Sequence, residues 1–118
     1  MAARLSAAGL SKAVEALSAL AHEGRLQAFR LLVRTGKHGL PAGEIAKKLS
    51  VLPNTLSANL TVLAHAGLVT SRREGRSIIY GADYERMSQL LGFLMEDCCN
   101  GDREICAPLA AIAARACC

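Results

Sequence analysis

The residues of this sequence best suited to chemistry are five cysteines, all located between positions 98 and 118. Cys98 and Cys99 are adjacent, Cys106 follows a polar loop, and Cys117 and Cys118 end the sequence. A disulfide between neighbouring cysteines is strained, and this crowding leaves most of the chain without a covalent crosslink. A site in which thiols bind a ligand is therefore a better interpretation than a disulfide scaffold.

Cys98, Cys99 and Cys106 can converge on one ion if the preceding helix unwinds at its end. Soft thiolates select copper(I), zinc, cadmium, mercury, and trivalent arsenic or antimony. Zinc generally needs a fourth ligand, from Cys117, Cys118 or a carboxylate, whereas trivalent arsenic is satisfied by three sulfurs. The cysteine trio thus predicts a site for As(III) or Sb(III). Inert buried cysteines, a redox or persulfide response, and binding of other soft metals are the alternatives.

Composition excludes several other classes of protein. With 52% hydrophobic and 20% charged residues, the 118-residue chain is expected to be one folded domain. No apolar run is long enough for a membrane span and no signal peptide is evident, so we expect a cytoplasmic protein with no membrane partner. No nucleophile, base and orienting group are grouped together, which argues against an enzyme. The net charge of +4 favours a polyanion such as DNA.

The segment 41–69 is typical of two short helices joined by a tight turn. Apolar residues recur at helical spacing through Ile45 and Leu49 in the first half, and at Leu56, Leu60 and Leu63 in the second. Ser50 and the residues up to Pro53 interrupt the pattern, and proline is tolerated in the first turn of a helix. This arrangement predicts a helix-turn-helix at residues 42–66.

The opposite face of the second of these helices is small and polar. Such a face fits the major groove and offers amide and hydroxyl groups to base edges and phosphates. The alternative is an ordinary solvated helix face. The side chains expected at the DNA are Asn54, Thr55, Ser57, Ala58 and Thr61.

After Gly67 the period changes to that of β-strands. The runs Val69 to Glu74 and Ser77 to Ala82 flank Gly75 and predict a hairpin. Such a hairpin would form a wing beside the second helix of the helix-turn-helix, which we call the reading helix. The hairpin loop carries three arginines that could contact the DNA backbone, namely Arg72, Arg73 and Arg76.

Helices are also predicted on both sides of this unit. The first spans residues 10–20, with Ser11 placed to start it, and a second runs from Glu23 to Arg34 with its inward stripe at Leu26, Phe29, Leu32 and Val33. A last helix spans residues 84–99 and is followed by the cysteine segment 98–118. Its stripe of Tyr84, Met87, Leu91, Leu94 and Cys98, widened by Leu90 and Met95, is a seam for another helix. We assign this seam, with the first helix, to a homodimer interface, which suits a palindromic DNA site.

The sequence resembles the ArsR/SmtB family of winged-helix metal-sensing repressors over nearly its whole length. The matching motifs are ALAHEGRL at residues 19–26, GEIA at 43–46, LSANL at 56–60 and AGLV at 66–69. The resemblance implies a mainly helical winged helix-turn-helix with a β-hairpin wing, which as an apo-homodimer binds palindromic operator DNA and releases it when a metal or metalloid binds. It also adds Asn59, at a position where the family often has histidine, to the residues expected at the DNA.

The sequence departs from the family at its better known metal sites. Residues 45–48 lack the cysteines of the commonest arsenic sensors, and residues 84–99 lack the histidines of the zinc sensors. Cys98, Cys99 and Cys106 instead look like the carboxy-terminal three-cysteine site of a subgroup of arsenic-responsive repressors. The resemblance therefore implies an As(III)-responsive repressor. The alternatives are a redox or soft-metal sensor, or a thiol metal buffer that binds no specific DNA.

Overall fold

The structure is a computed structural model that describes residues 7–95 and residue 111. Five helices and a small sheet make up the described part. The helices are α1 (Ala7–Leu20), α2 (Glu23–Thr35), α3 (Ala42–Leu49), α4 (Pro53–His65) and α5 (Tyr84–Met95), and the strands are β1 (Leu40–Pro41), β2 (Val69–Glu74) and β3 (Ser77–Ala82). The predicted winged helix-turn-helix, mainly helical with a hairpin, is confirmed.

The core lies among α2, α3 and α4, and it is built from the apolar stripes that the sequence shows. Ile45 of α3 and Leu56, Leu60 and Leu63 of α4 are almost completely buried. Burying such side chains contributes about 1.5–3 kcal/mol each. In α2 the stripe is shifted from the predicted one. Leu26 is exposed, whereas Ala28 lies fully inside beside Phe29 and Leu32.

The turn between α3 and α4 is fixed by its backbone. Ser50 adopts the left-handed conformation with φ 54° and ψ 46°, and the N–H of Val51 donates to the carbonyl of Ala46 at 3.1 Å. Both features end α3 sharply. Pro53 then occupies the first turn of α4, as predicted. The orientation of α4, the reading helix, relative to α3 is therefore fixed by a short connection with little conformational freedom.

The sheet has the order β1-β3-β2 and is antiparallel throughout. The bounds of β2 and β3 are those predicted, and Gly75, with φ 62°, supports their turn. The two-residue strand β1 was not predicted. It follows Gly39, whose φ is 72° and at which a β-carbon would collide with the carbonyl oxygen of Tyr80, so only glycine fits there.

Helix α1 presents two different apolar faces. Its small face of Ala13, Ala16 and Ala19 is buried against the core, and its large face of Leu10, Val14 and Leu17 is exposed. The helix begins at Ala7 in the described part, so the prediction that Ser11 starts it is wrong. The exposed leucine face is the kind of surface that the predicted dimer interface requires.

Helix α5 is fastened to the core by its first turns. The hydroxyl of Tyr84 donates to the carbonyl of Val33 at 3.0 Å, Met87 packs against the core, and Leu90 is buried. These residues therefore pack within the chain, where α5 contacts α1, rather than in the homodimer interface to which the stripe was assigned. Leu91, Leu94 and Met95, nearer the end of the described part of α5, are exposed. Within residues 7–95 no helix is long and apolar enough to cross a membrane.

Candidate nucleic-acid interface

One face of α4 carries most of the side chains that were predicted to contact DNA. The apolar residues of α4 turn inward at Leu56, Leu60 and Leu63, which leaves the opposite face in solvent. Because the first turns of a reading helix contact base edges, the exposed groups near the start of α4 are the best placed of the set. The exposed side chains are Asn54, Thr55, Ser57, Ala58 and Thr61.

Asn59 does not belong to that face, and the prediction that it contacts DNA is wrong. Its side chain is only 8% exposed. It lies three residues after Leu56 and next to Leu60, on the stripe that packs inward, and a β-carbon on Gly24 of α2 would come within 3.0 Å of its Nδ2. The sequence already indicates this position, because Asn59 has the helical spacing of the apolar stripe of α4. The amide therefore packs between the reading helix and α2.

The hydroxyl of Thr61 has a restricted role because of its position in the helix. It donates to the carbonyl of Ser57 at 2.9 Å, one turn earlier. Its single proton is thus engaged within the protein, while its lone pairs remain available. Toward a base edge, Thr61 can accept a hydrogen bond from an amino group but not donate one.

The arginines of the hairpin divide into two groups because side chains alternate along a strand. Arg72 lies opposite buried Ile79. Its Nε donates to Glu74 Oε2 at 2.6 Å and its Nη2 donates to the carbonyl of His38 at 2.8 Å. The guanidinium is therefore committed to holding the hairpin to the turn before β1, and its charge is partly neutralised by Glu74.

Arg73 lies on the other face of the hairpin, opposite exposed Ile78. Arg76 follows the turn at Gly75, and both arginines are exposed. Among the described residues neither has an ion-pair partner. These two side chains are the free cations of the hairpin, and they are suited to contacts with phosphate oxygens.

A contact that sequence reasoning missed joins α5 to the end of the reading helix. Arg86 is half-buried, its Nη2 donates to the carbonyl of Ala66 at 3.5 Å, and its guanidinium lies against Gly67. Asp83 accepts from the N–H of Arg86 at 3.0 Å and caps the start of α5. Asp83 three residues before Arg86 was a capping signal in the sequence, but nothing in it indicated the contact with Ala66.

The predicted ligand trio of Cys98, Cys99 and Cys106 lies outside the described residues. Within residues 7–95 and 111, no three histidine, cysteine or carboxylate side chains are grouped so that they could hold a metal ion. The described part of α5 ends at Met95, three residues before Cys98. The described structure thus contains the helix-turn-helix and the helix that precedes the trio in the sequence.

Comparisons with known proteins agree with this architecture. A family model described as a helix-turn-helix domain matches residues 20–72. The uncharacterized HTH-type transcriptional regulator YbzH of Bacillus subtilis is 31% identical over 93 residues, which cover 69% of this chain and 93% of that protein.

Solved structures extend the similarity to the hairpin and the flanking helices. The homodimeric winged helix-turn-helix domain of Mb0332 from Mycobacterium bovis, described as a possible ArsR-family regulator, is 32% identical, with a TM-score of 0.61, over 77% of this chain and 84% of that one. A possible transcriptional regulator for arsenical resistance is 28% identical, with a TM-score of 0.61, over 82% and 95%. Together with the exposed face of α4 and the basic hairpin, these similarities show that the chain belongs to the ArsR-like family of winged helix-turn-helix transcriptional regulators.

Proposed function

We propose that this regulator is a homodimeric repressor that binds palindromic operator DNA and releases it when As(III) or Sb(III) binds Cys98, Cys99 and Cys106. The DNA-binding part is carried by one observation, the row of small polar side chains on the exposed face of α4. The effector part is carried by the spacing of the three cysteines. The similarity to a protein described as a possible regulator for arsenical resistance supports the same stimulus.

The homodimer is supported by two apolar faces that the single chain leaves in solvent. Leu10 on α1 is 54% exposed and Leu94 on α5 is 51% exposed, and each has exposed apolar neighbours on its helix. Large apolar patches of this kind usually mark interfaces. Pairing of two copies through these faces would place two reading helices on one duplex, and the similar domain of Mb0332 is described as homodimeric.

A physical route connects the cysteines to the DNA. The trio follows α5, and α5 is fastened near its start to the end of α4 through Arg86 and to the end of α2 through Tyr84. An ion that draws three sulfurs together changes the path of the chain at the far end of α5 and thereby the spacing of the two reading helices. A coupling of about 1–3 kcal/mol weakens operator binding roughly 5- to 150-fold.

The test is a gel shift with a duplex that the wild-type protein has selected from a random library. Arsenite should release the wild type and the Cys117→Ser/Cys118→Ser control, and should leave the Cys98→Ser/Cys99→Ser/Cys106→Ser variant bound. Retention of the wild-type complex at saturating arsenite would exclude the proposal. Release by peroxide, polysulfide or cadmium in place of arsenite would favour the redox or soft-metal alternatives.

The same selection of a duplex from a random library distinguishes the repressor from the alternative of a thiol metal buffer. A buffer protein would select no DNA sequence, and its metalloid binding would be indifferent to Asn54→Ala. Membership in a family of transcriptional regulators favours the repressor over the buffer. A reporter gene placed behind the selected sequence gives the direction of regulation, and we expect lower expression in the presence of the apo-protein.

A further inference from the structure

Leu52 is the most exposed large apolar side chain among the described residues, at 73%. It is the N-cap residue of α4, with φ −68° and ψ 142°, and it makes no side-chain hydrogen bond to the first turn. It belongs neither to the apolar face of α1 nor to that of α5. Most of this isobutyl group is therefore left uncovered by the described part of the chain.

Two local rules are broken at this position. N-cap positions prefer serine, threonine, aspartate or asparagine, whose oxygen accepts from the N–H groups of the first turn, and leucine cannot do this. A leucine with this exposure also gains little from burial in the free protein. Residues that break local rules without a compensating contact are expected at functional sites. Leu52 is thus better explained by a contact made in a complex than by stability of the free chain.

The position of Leu52 indicates which complex that is. It immediately precedes Pro53 and lies beside Asn54 and Thr55, at the amino end of the helix whose exposed face is assigned to the major groove. The only apolar group that a base presents in the major groove is the C5-methyl of thymine. A leucine at this end of the helix has the chemistry to contact that methyl group, and no polar group of a base edge suits it.

We propose that Leu52 determines operator specificity by contacting a thymine methyl group in each half-site. This inference rests on the proposed binding of operator DNA and adds to it a particular base and a residue outside the polar face of α4. It differs from the roles of Asn54 and Thr61, which act through hydrogen bonds. Each subunit of the dimer makes the contact once, so a palindrome doubles the contribution of the contact to the binding free energy.

The experiment removes the methyl group and nothing else. In the duplex selected by the wild-type protein, each thymine is replaced in turn by deoxyuridine, and affinity is measured by fluorescence anisotropy. At one position per half-site we expect about fourfold weaker binding by the wild type, the value of one buried methyl group, and about fifteenfold when both half-sites are changed. Leu52→Ala should bind the thymine and deoxyuridine duplexes equally.

Leu52→Ser is the matched control, because serine restores a capping oxygen to α4. It should be at least as stable as the wild type in thermal unfolding and should also lose discrimination between thymine and deoxyuridine. The inference is overturned if no deoxyuridine substitution weakens the wild type, or if Leu52→Ala still discriminates. It is equally overturned if Leu52→Ala and Leu52→Ser each bind the thymine and deoxyuridine duplexes more weakly by one common factor, so that the preference for thymine is unchanged. If the protein selects no sequence at all, the proposed function fails and the inference falls with it.

Discussion

Arg73 is the hairpin residue whose replacement most directly tests the assignment of the wing to DNA. Strand β2 places it on the exposed face, opposite Ile78, without an ion-pair partner among the described residues. Arg72 is its matched control, because it is adjacent in sequence and equal in charge but is held by Glu74 and by the carbonyl of His38. Arg73→Gln should remove one phosphate contact per subunit, and Arg72→Gln should remove none.

The magnitude follows from counterion release. Each phosphate contact contributes about 0.9 to the slope of log affinity against log salt concentration, so loss of Arg73 from both subunits of a dimer lowers the slope by about 1.8. Between 50 and 200 mM salt, a fourfold change, the affinity of the variant should therefore fall about 12-fold less than that of the wild type. Arg72→Gln should weaken binding through a less well placed hairpin and leave the slope unchanged.

The assay is anisotropy of a labelled operator duplex titrated with protein across a series of potassium chloride concentrations. Thermal unfolding of each variant verifies that the fold is intact. An unchanged slope for Arg73→Gln would show that the exposed face of the hairpin does not contact phosphates. A slope lowered equally in both variants would refute the reasoning that strand alternation gives the two arginines different roles.

Three further predictions concern assembly and stability. Leu94→Glu places a charge on the exposed apolar face of α5, so light scattering should report a monomer with weak operator binding; a dimer at micromolar concentration would contradict this. His22, the N-cap of α2, accepts from the N–H of Arg25 at a long 3.4 Å, and His22→Asp should stabilise the fold by about 0.5–1 kcal/mol in urea unfolding, because aspartate is a better cap and suits the helix dipole. Gly39→Ala should destabilise the protein more than Gly36→Ala does; both positions have a positive φ, which costs an alanine roughly 1–3 kcal/mol, but only at Gly39 would a β-carbon collide. Equal unfolding midpoints for the two alanine variants would argue against the collision.

The sequence predicted the hairpin and the helix-turn-helix well because each is specified by local signals. Period-two runs on either side of Gly75 define β2 and β3, and proline in the first turn marks the start of α4. The strand β1 has only two residues and exists because β3 pairs with it, so no local pattern could reveal it. Asn59 was misplaced because the family resemblance suggested a contact with DNA, whereas its spacing from Leu56 put it on the buried stripe.

Apolar periodicity reveals a helix but does not say which of two apolar faces meets the core. In α1 the small alanines face inward and the leucines face outward, as Ala16 and Leu17 illustrate. In α5 the division runs along the length of the helix. Tyr84 and Leu90 pack against the core, whereas Leu94, nearer the end of the described part, is exposed. These divisions depend on the distances between elements, which a one-dimensional pattern does not contain. The ligand role of the three cysteines remains a prediction.

The anchoring of α5 has a consequence for how such a regulator could acquire a new stimulus. Tyr84 and Arg86 tie its beginning to the ends of α2 and α4, whereas Leu91, Leu94 and Met95, nearer the end of its described part, are exposed. In the proposed mechanism, α5 transmits a movement of that end to α2 and α4, whichever ligand causes the movement. Under that mechanism, exchanging a few side chains at the end of α5 would change the inducer and leave the exposed face of α4 unchanged.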